Sequence, residues 1–231
     1  MKLEGKRVLV VGGTSGIGAA VVQLAAASRA VVTTASRRDE APEATSGARH
    51  LVLDLSDEAR VRARLSGQAP FDHLVVSAGG AGPGQFRGQS SDAAASAFET
   101  KFWGAWRAAA FAPLAPDASI TFISGVFAER PSPGQVAASC VNAALEALAR
   151  SLAVELGPIR VNAVSPGLVD TPMWQAIPVE RRAAYFAGVA EKLPARRICS
   201  ADDVAALVFA CMTNPVLTGA VLKIDGGYTL V

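Results

Sequence analysis

A glycine-rich turn near the start of the chain is the clearest candidate for chemistry. Gly12, Gly16 and Gly18 follow the apolar run 8–11 and open an apolar stretch over residues 19–27. A strand, a glycine-rich turn and a helix in this order are typical of a site for the pyrophosphate of a dinucleotide. The glycines allow a tight turn and a close backbone approach, and the N–H groups of the helix start face the anion. The alternative is an ordinary strand-to-helix connection that binds nothing.

Two arginines bear on which dinucleotide this turn would bind. Ser36, Arg37 and Arg38 come directly after the β-rich run 31–35. An acidic residue here would bond the ribose 2′-hydroxyl of NAD, whereas an arginine accommodates the 2′-phosphate of NADP. The guanidinium fork suits a phosphate dianion. The sequence therefore favours NADP(H), with Arg37 as the better candidate of the two. The alternative is that both are solvated surface charges.

The elements that must position these residues alternate along the whole chain. Short β-rich runs are separated by longer helical patterns, which predicts parallel strands joined by right-handed crossovers. We therefore expect residues 1–231 to form a single α/β domain of the Rossmann type, a doubly wound parallel sheet of about seven strands with helices on both faces. The predicted strands are 6–11, 30–35, 49–53, 73–76, 119–123, 160–164 and 221–224. The predicted helices begin near Ile17, Ser56, Ser91, Gln135, Val179 and Ala201.

Composition excludes several classes of function. The formal net charge is +2 and no Lys/Arg run exceeds a pair, which argues against nucleic-acid binding. Residues 1–7 do not resemble a signal peptide, and charge or glycine interrupts the apolar stretches, so we expect no membrane association. Three cysteines without ligand spacing indicate buried thiols in the cytoplasm, and two histidines give poor support for a metal site or a Ser-His-Asp triad.

The chain resembles the short-chain dehydrogenase/reductase family over nearly its full length. The turn matches the family's TGxxxGxG pattern, with Val11 in place of threonine, and segment 160–167 with Thr171 matches its Pro-Gly segment. Residues 76–79 stand in place of its Asn-Asn-Ala-Gly motif, and residues 225–227 match its carboxyl-terminal ending. The resemblance implies a homodimer or homotetramer. With the arginine argument it gives these predicted cofactor contacts: Gly12, Thr14, Ser15, Gly16, Ile17, Ser36, Arg37, Arg38, Asp54, Leu55, Ser77, Ala78, Gly79, Lys101, Pro166, Gly167, Val169 and Thr171.

The family's usual catalytic set, Asn, Ser and Tyr-x-x-x-Lys, is not matched. In the family, the lysine cation draws the tyrosine pKa toward neutrality so that the hydroxyl can transfer a proton. The corresponding positions here hold other residues: Lys101, Gly125, Ala138 and Asn142. Our hypothesis is that Lys101 reaches the nicotinamide ribose or the carbonyl site, and that Asn142, Ser124 or Ser139 completes the polar set. The alternative is that Lys101 extends to solvent or forms a structural ion pair.

Aromatic residues suggest two further features, each with a plain packing alternative. The helix before Pro113 carries a stripe that forms either a subunit interface or core: Phe98, Phe102, Trp106 and Phe111. The segment after Thr171 carries an apolar group that forms either a substrate cap or ordinary packing: Met173, Trp174, Tyr185 and Phe186. Tyr185 is a weaker candidate for a replacement acid.

The sequence as a whole predicts an NADP(H)-binding, atypical oxidoreductase of this family. It would reduce a small, apolar carbonyl substrate with an unusual proton source. The hydride comes from the cofactor, so the protein need only orient it and stabilise negative charge on oxygen. The alternative is a non-catalytic NADP(H)-binding sensor or scaffold protein, because the binding motifs are retained while the proton-transfer set is lost.

Overall fold

A computed structural model of the protein describes residues 3–39, 45, 47–80, 82–87 and 90–231. Seven strands form one sheet in the order β3-β2-β1-β4-β5-β6-β7, and every neighbouring pair is parallel. This confirms the predicted Rossmann-type α/β fold. The strands are β1 (Arg7–Val11), β2 (Val31–Ser36), β3 (Arg49–Val52), β4 (Phe71–Val76), β5 (Leu114–Ile123), β6 (Arg160–Pro166) and β7 (Val221–Ile224).

Helices cover both faces of this sheet, because successive side chains of its central strands point to opposite sides. Leu9 and Val11 of β1 belong to one buried cluster, whereas Val8 and Val10 belong to the other. The helices are α1 (Gly16–Ala27), α2 (Glu58–Ser66), α3 (Ser91–Ala97), α4 (Gly104–Phe111), α5 (Val136–Glu155), α6 (Val179–Ala190) and α7 (Ala201–Thr213).

A π-helical segment, Phe98–Trp103, joins α3 to α4. Its backbone stays in the right-handed helical region at both ends, so residues 91–111 form one helical run with a widened middle. Such widenings occur often at functional sites, because the extra residue redirects the side chains beside it. The segment carries Lys101, and the sequence analysis did not predict it.

Helix α5 is long and apolar enough to cross a membrane by length and composition, the one such helix in the described part of the chain. Glu146 and Arg150 nevertheless interrupt it, and residues including Val141, Leu145 and Leu148 are buried. Since Leu145 and Leu148 pack in the same cluster as β4 and β5 residues, α5 has the environment of a core helix.

Candidate functional site

The carboxyl ends of the central strands bring the predicted site residues to one edge of the sheet. The N–H of Ser77, after β4, donates to the Val11 carbonyl, and the N–H of Ser124, after β5, donates to the Val164 carbonyl. Strand β1 lies between β2 and β4, so the sheet grows from β1 in two opposite directions, through β2 to β3 on one side and through β4 to β7 on the other. Ligands of open α/β sheets bind in the crevice at such a switch point.

Steric contacts explain the glycines of the turn. A Cβ at Gly12, where φ is +81°, would lie 2.7 Å from the Ala78 nitrogen, and a Cβ at Gly18 would lie 2.1 Å from the Gly12 carbonyl oxygen. The turn therefore packs against the end of β4, and α1 packs closely on the turn. Thr14 beside it is buried.

The start of α1 is open to an anion. Its N-cap Ser15 is extended and makes no side-chain capping bond, and the first turn, which includes Ile17, holds no acidic residue. Thr171 lies across from Gly16, with its Cβ 3.3 Å from the position of a Gly16 Cβ. The Thr171 hydroxyl is buried and has no hydrogen-bond partner among the described residues. A buried hydroxyl without a partner costs free energy, and a polar ligand bound beside the turn would supply the missing hydrogen bond.

The side chains of Arg37 and Arg38 are exposed directly beyond β2. Neither forms an ion pair with another described residue. The Arg38 N–H donates to Ser36 Oγ at 3.1 Å, which fixes the bend after the strand. Hydrogen bonds from Ser56, and then the charge of Arg37, hold the pKa of exposed Asp54 below its usual value. With respect to the described residues, both guanidinium groups are available to an anion at the end of β2.

Lys101 extends from the π-helical segment to the end of β5, where its ammonium donates to the Ser124 carbonyl at 2.9 Å. The residue is half-buried. Burial lowers the pKa of Lys101 from 10.5 to about 8, and the carboxylate of Glu146 opposes this shift. Its backbone packs on Gly79, where a Cβ would lie 2.8 Å from the Lys101 Cα. Lys101 is therefore not a fully solvated side chain, and it forms no direct ion pair with a residue that the structure describes.

The hydroxyl of Ser124 is engaged by an acid that the sequence analysis did not single out. Ser124 Oγ donates to Glu146 Oε1 at 2.7 Å and accepts from the Gly125 N–H. Glu146 lies four residues after Asn142, so both occupy one face of α5. That spacing, which places an acid one turn after Asn142 on a largely apolar helix, is the signal by which Glu146 could have been found.

Asn142 fills the space in front of Gly125. It is buried, and its Nδ2 lies 2.8 Å from the position that a Cβ at residue 125 would take. Its Oδ1 and the Ser139 hydroxyl are buried without a hydrogen-bond partner among the described residues. The structure thus brings Lys101, Ser124 and Asn142 together around residues 124–125.

The two tyrosines make aromatic contacts elsewhere. Tyr185 packs against Trp174 and Phe186, with centroid distances of 5.7 and 6.1 Å, while Tyr228 packs against Phe127 at 6.4 Å. The Trp174 indole donates to the Val169 carbonyl at 3.1 Å. This ties the aromatic group to the segment that follows Pro166 and Gly167.

Leu55 and Gly167, two of the predicted cofactor contacts, pack closely against neighbouring backbone. Leu55 is buried, and its side chain lies 2.9 Å from where a Cβ at Gly104 would stand. A Cβ at Gly167 would lie 2.8 Å from the Asp225 Cα, so the ending after β7 packs against the end of β6. Among the described residues, no group of three or more His, Cys, Asp or Glu side chains could hold a metal ion.

The fold and the site define a class of protein, an α/β nucleotide-binding protein with its crevice at the switch point of a parallel sheet. A family model described as enoyl-(acyl carrier protein) reductase matches residues 11–229. The short-chain dehydrogenase/reductase ucsE of Acremonium sp is 33% identical over 98% of this chain and 96% of its own length. The chain belongs to the short-chain dehydrogenase/reductase family, a family of oxidoreductases.

Solved structures support the same assignment. A small-chain dehydrogenase in complex with NADPH has a TM-score of 0.87 and 35% identity, covering 99% of this chain and 100% of its own. The MalC reductase/Diels-Alderase from Malbranchea aurantiaca has a TM-score of 0.86 and 28% identity, covering 99% and 98%.

Proposed function

We propose that this protein is an NADP(H)-dependent oxidoreductase that reduces a small, apolar carbonyl substrate without the tyrosine of its family. The observation that carries the proposal is the ammonium of Lys101, held at the carboxyl edge of the sheet by the Ser124 carbonyl. It is a half-buried cation on the same edge as the glycine turn, where negative charge on a substrate oxygen needs stabilisation.

The residues present fit a nicotinamide dinucleotide. The start of α1 has no capping side chain and no acidic residue in its first turn, and the Thr171 hydroxyl beside the turn lacks a described partner. Arg37 and Arg38 would hold a 2′-phosphate, and the start of α1 would hold the pyrophosphate. The NADPH complex of a structural relative supports the choice of NADP(H). When bound, this cofactor supplies the hydride.

The protein itself would bind the substrate, stabilise the charge that develops on the substrate oxygen and exclude water from the site. Lys101 stabilises negative charge on the substrate oxygen and, with a pKa near 8, can donate the proton that the oxygen needs. The Asn142 Oδ1 is a buried acceptor without a described partner, suited to a hydroxyl of the ribose or substrate. Trp174, Tyr185 and Phe186 would form the apolar cap over the substrate.

One observation favours a second candidate, a non-catalytic NADP(H)-binding sensor or scaffold. Asn142 occupies the space that a serine at residue 125 would need, and residue 138 is a buried alanine. If these positions correspond to the family's proton-transfer set, as we propose, close packing takes its place, which binding alone would tolerate.

Substitution of Lys101 by alanine separates these functions. Because one lost charge-stabilising donor costs a factor of about 100 or more, we expect Lys101→Ala to lower kcat/KM by about that factor. The measurement follows the absorbance of NADPH over a panel of apolar carbonyl compounds, with NADPH affinity from calorimetry expected within a few fold of wild type. The control is Lys192→Ala, since Lys192 is exposed just after α6. Tight NADPH binding by the wild type without turnover on any carbonyl or alcohol would instead support the sensor.

A further inference from the structure

Ser124 is held from two sides by groups of opposite charge. Its carbonyl accepts from the Lys101 ammonium at 2.9 Å, and its hydroxyl donates to Glu146 Oε1 at 2.7 Å. The hydroxyl also accepts from the Gly125 N–H, so both polar groups of the residue are fixed. A carboxylate on α5 and an ammonium on the π-helical segment are therefore linked through one residue at the end of β5.

Other charges around Lys101 are paired or exposed. On its own segment Glu99 is ion-paired with Arg107 of α4, and on α3 Asp92 lies in the exposed first turn. On α5, Arg150 is exposed one turn further along. Among the described residues, Glu146 is the charged group whose field acts on Lys101.

Lys223 of β7 lies within the field of Glu146 but has a partner of its own. It forms a surface ion pair with Glu129 at 2.8 Å. Glu146 is thus the counter-charge of Lys101. Glu129 is a nearby acid that pairs with a different lysine, Lys223.

We infer that Glu146 is a positioning residue for Lys101: it fixes Ser124, on whose carbonyl the ammonium rests, and its negative charge keeps that ammonium protonated. This inference rests on the proposed function, which gives the charge of Lys101 a role. Burial alone favours the neutral amine, so without a nearby carboxylate the lysine would lose its proton at lower pH. Each unit of that shift changes the ratio of charged to neutral lysine about tenfold.

Competitive acetylation of Lys101 tests the inference without cofactor or substrate. The amine reacts only when neutral, so its labelling, measured by mass spectrometry across pH, gives its titration midpoint in the folded protein. We expect Glu146→Gln to lower the midpoint by about one pH unit or more. Glu146→Asp, which keeps the charge but withdraws it by one methylene, should give an intermediate midpoint. The control Glu129→Gln should match the wild type.

An unchanged midpoint in folded Glu146→Gln, checked by circular dichroism, would overturn the inference. Should that variant fail to fold, Glu146→Asp decides alone, and a midpoint equal to that of the wild type overturns it. The acetylation of Lys101 needs no catalytic turnover, so its result does not depend on whether the proposed function is correct. A shifted midpoint in a protein that neither binds NADPH nor reduces carbonyls would leave the role of Glu146 intact and reject only the proposed function.

Discussion

The ammonium of Lys101 reaches Ser124 from the π-helical segment. We propose that it takes over the role of the family's catalytic lysine, whose position on α5 we expect Asn142 to occupy. Asn142 also fills the space in front of Gly125, so the residue types at these two positions are coupled by packing. Restoring a serine at residue 125 would therefore require Asn142 to move.

The pH dependence of stability follows from the burial of Lys101. Its folded pKa of about 8 lies below the ordinary value of 10.5, so between these values the unfolded chain binds more protons than the folded chain. Stability therefore rises with pH across this window. We expect the free energy of unfolding of the wild type to rise relative to Lys101→Met, by about 3 kcal/mol at most. Urea denaturation at several pH values measures this, and parallel curves would show that the lysine titrates normally.

Individual contacts were the least predictable part of the site. The positions of Lys101, Ser124 and Asn142 in the chain placed them near one another by resemblance to the family. The bond from Ser124 to Glu146 depends on how α5 is rotated against β5, which no local pattern encodes. In the same way, the helix predicted to begin near Ser56 occurs as α2, but its N-cap is Asp57 and Ser56 bonds to Asp54.

The predicted aromatic stripe before Pro113 does not face one way. Phe102 and Phe111 pack against the core, whereas Trp106 is 47% exposed. Trp103, which the predicted stripe did not include, is 43% exposed and contacts Trp106 edge to face at 5.9 Å. Two large apolar side chains exposed side by side are typical of a surface that another chain covers. We therefore keep the homodimer or homotetramer as a proposal and assign its contact to this tryptophan pair.

Charge at this surface should disrupt the assembly. We expect the wild type to sediment as a dimer or tetramer and the double variant Trp103→Glu, Trp106→Glu to sediment as a monomer, because burying two carboxylates is costly. Sedimentation velocity at equal protein concentration makes the comparison. Val216→Glu is the control, since Val216 is 85% exposed and lies before β7. A wild type that sediments as a monomer would contradict the proposed homodimer or homotetramer.

At the level of elements, periodicity predicted the sheet well. All seven predicted strands occur, because buried parallel strands are short, apolar and bounded by loops. Six lie within two residues of their expected limits, whereas β5 begins five residues before its predicted start. Helix α7 begins at the expected residue, Ala201, and Ser200 is its N-cap. The π-helical segment was not predicted, since its widened turn depends on tertiary packing, including the close contact of Lys101 with Gly79.

At the scale of the whole molecule, the proposed cofactor-binding residues and the proposed catalytic residues lie at different strands of the same sheet edge. We call these two parts the binding half and the chemical half. The ends of β1 and β2 carry the glycine turn and the exposed arginines, and the ends of β4 and β5 lie beside the Lys101 group. The binding half follows patterns that a sequence displays directly, whereas the proposed chemistry differs from that of the family. NADP(H) binding is accordingly the claim on which the rest of the account depends, including the reductase activity that we propose.

Calorimetric titration with NADPH and NADH tests that claim most directly. A guanidinium on the 2′-phosphate adds a charge-assisted bond, so we expect NADPH to bind at least about tenfold more tightly than NADH. Arg37→Ala should remove most of this preference, while Arg150→Ala, on exposed α5 surface, should keep it. Equal affinity of the wild type for the two nucleotides, or binding of neither, would contradict the account.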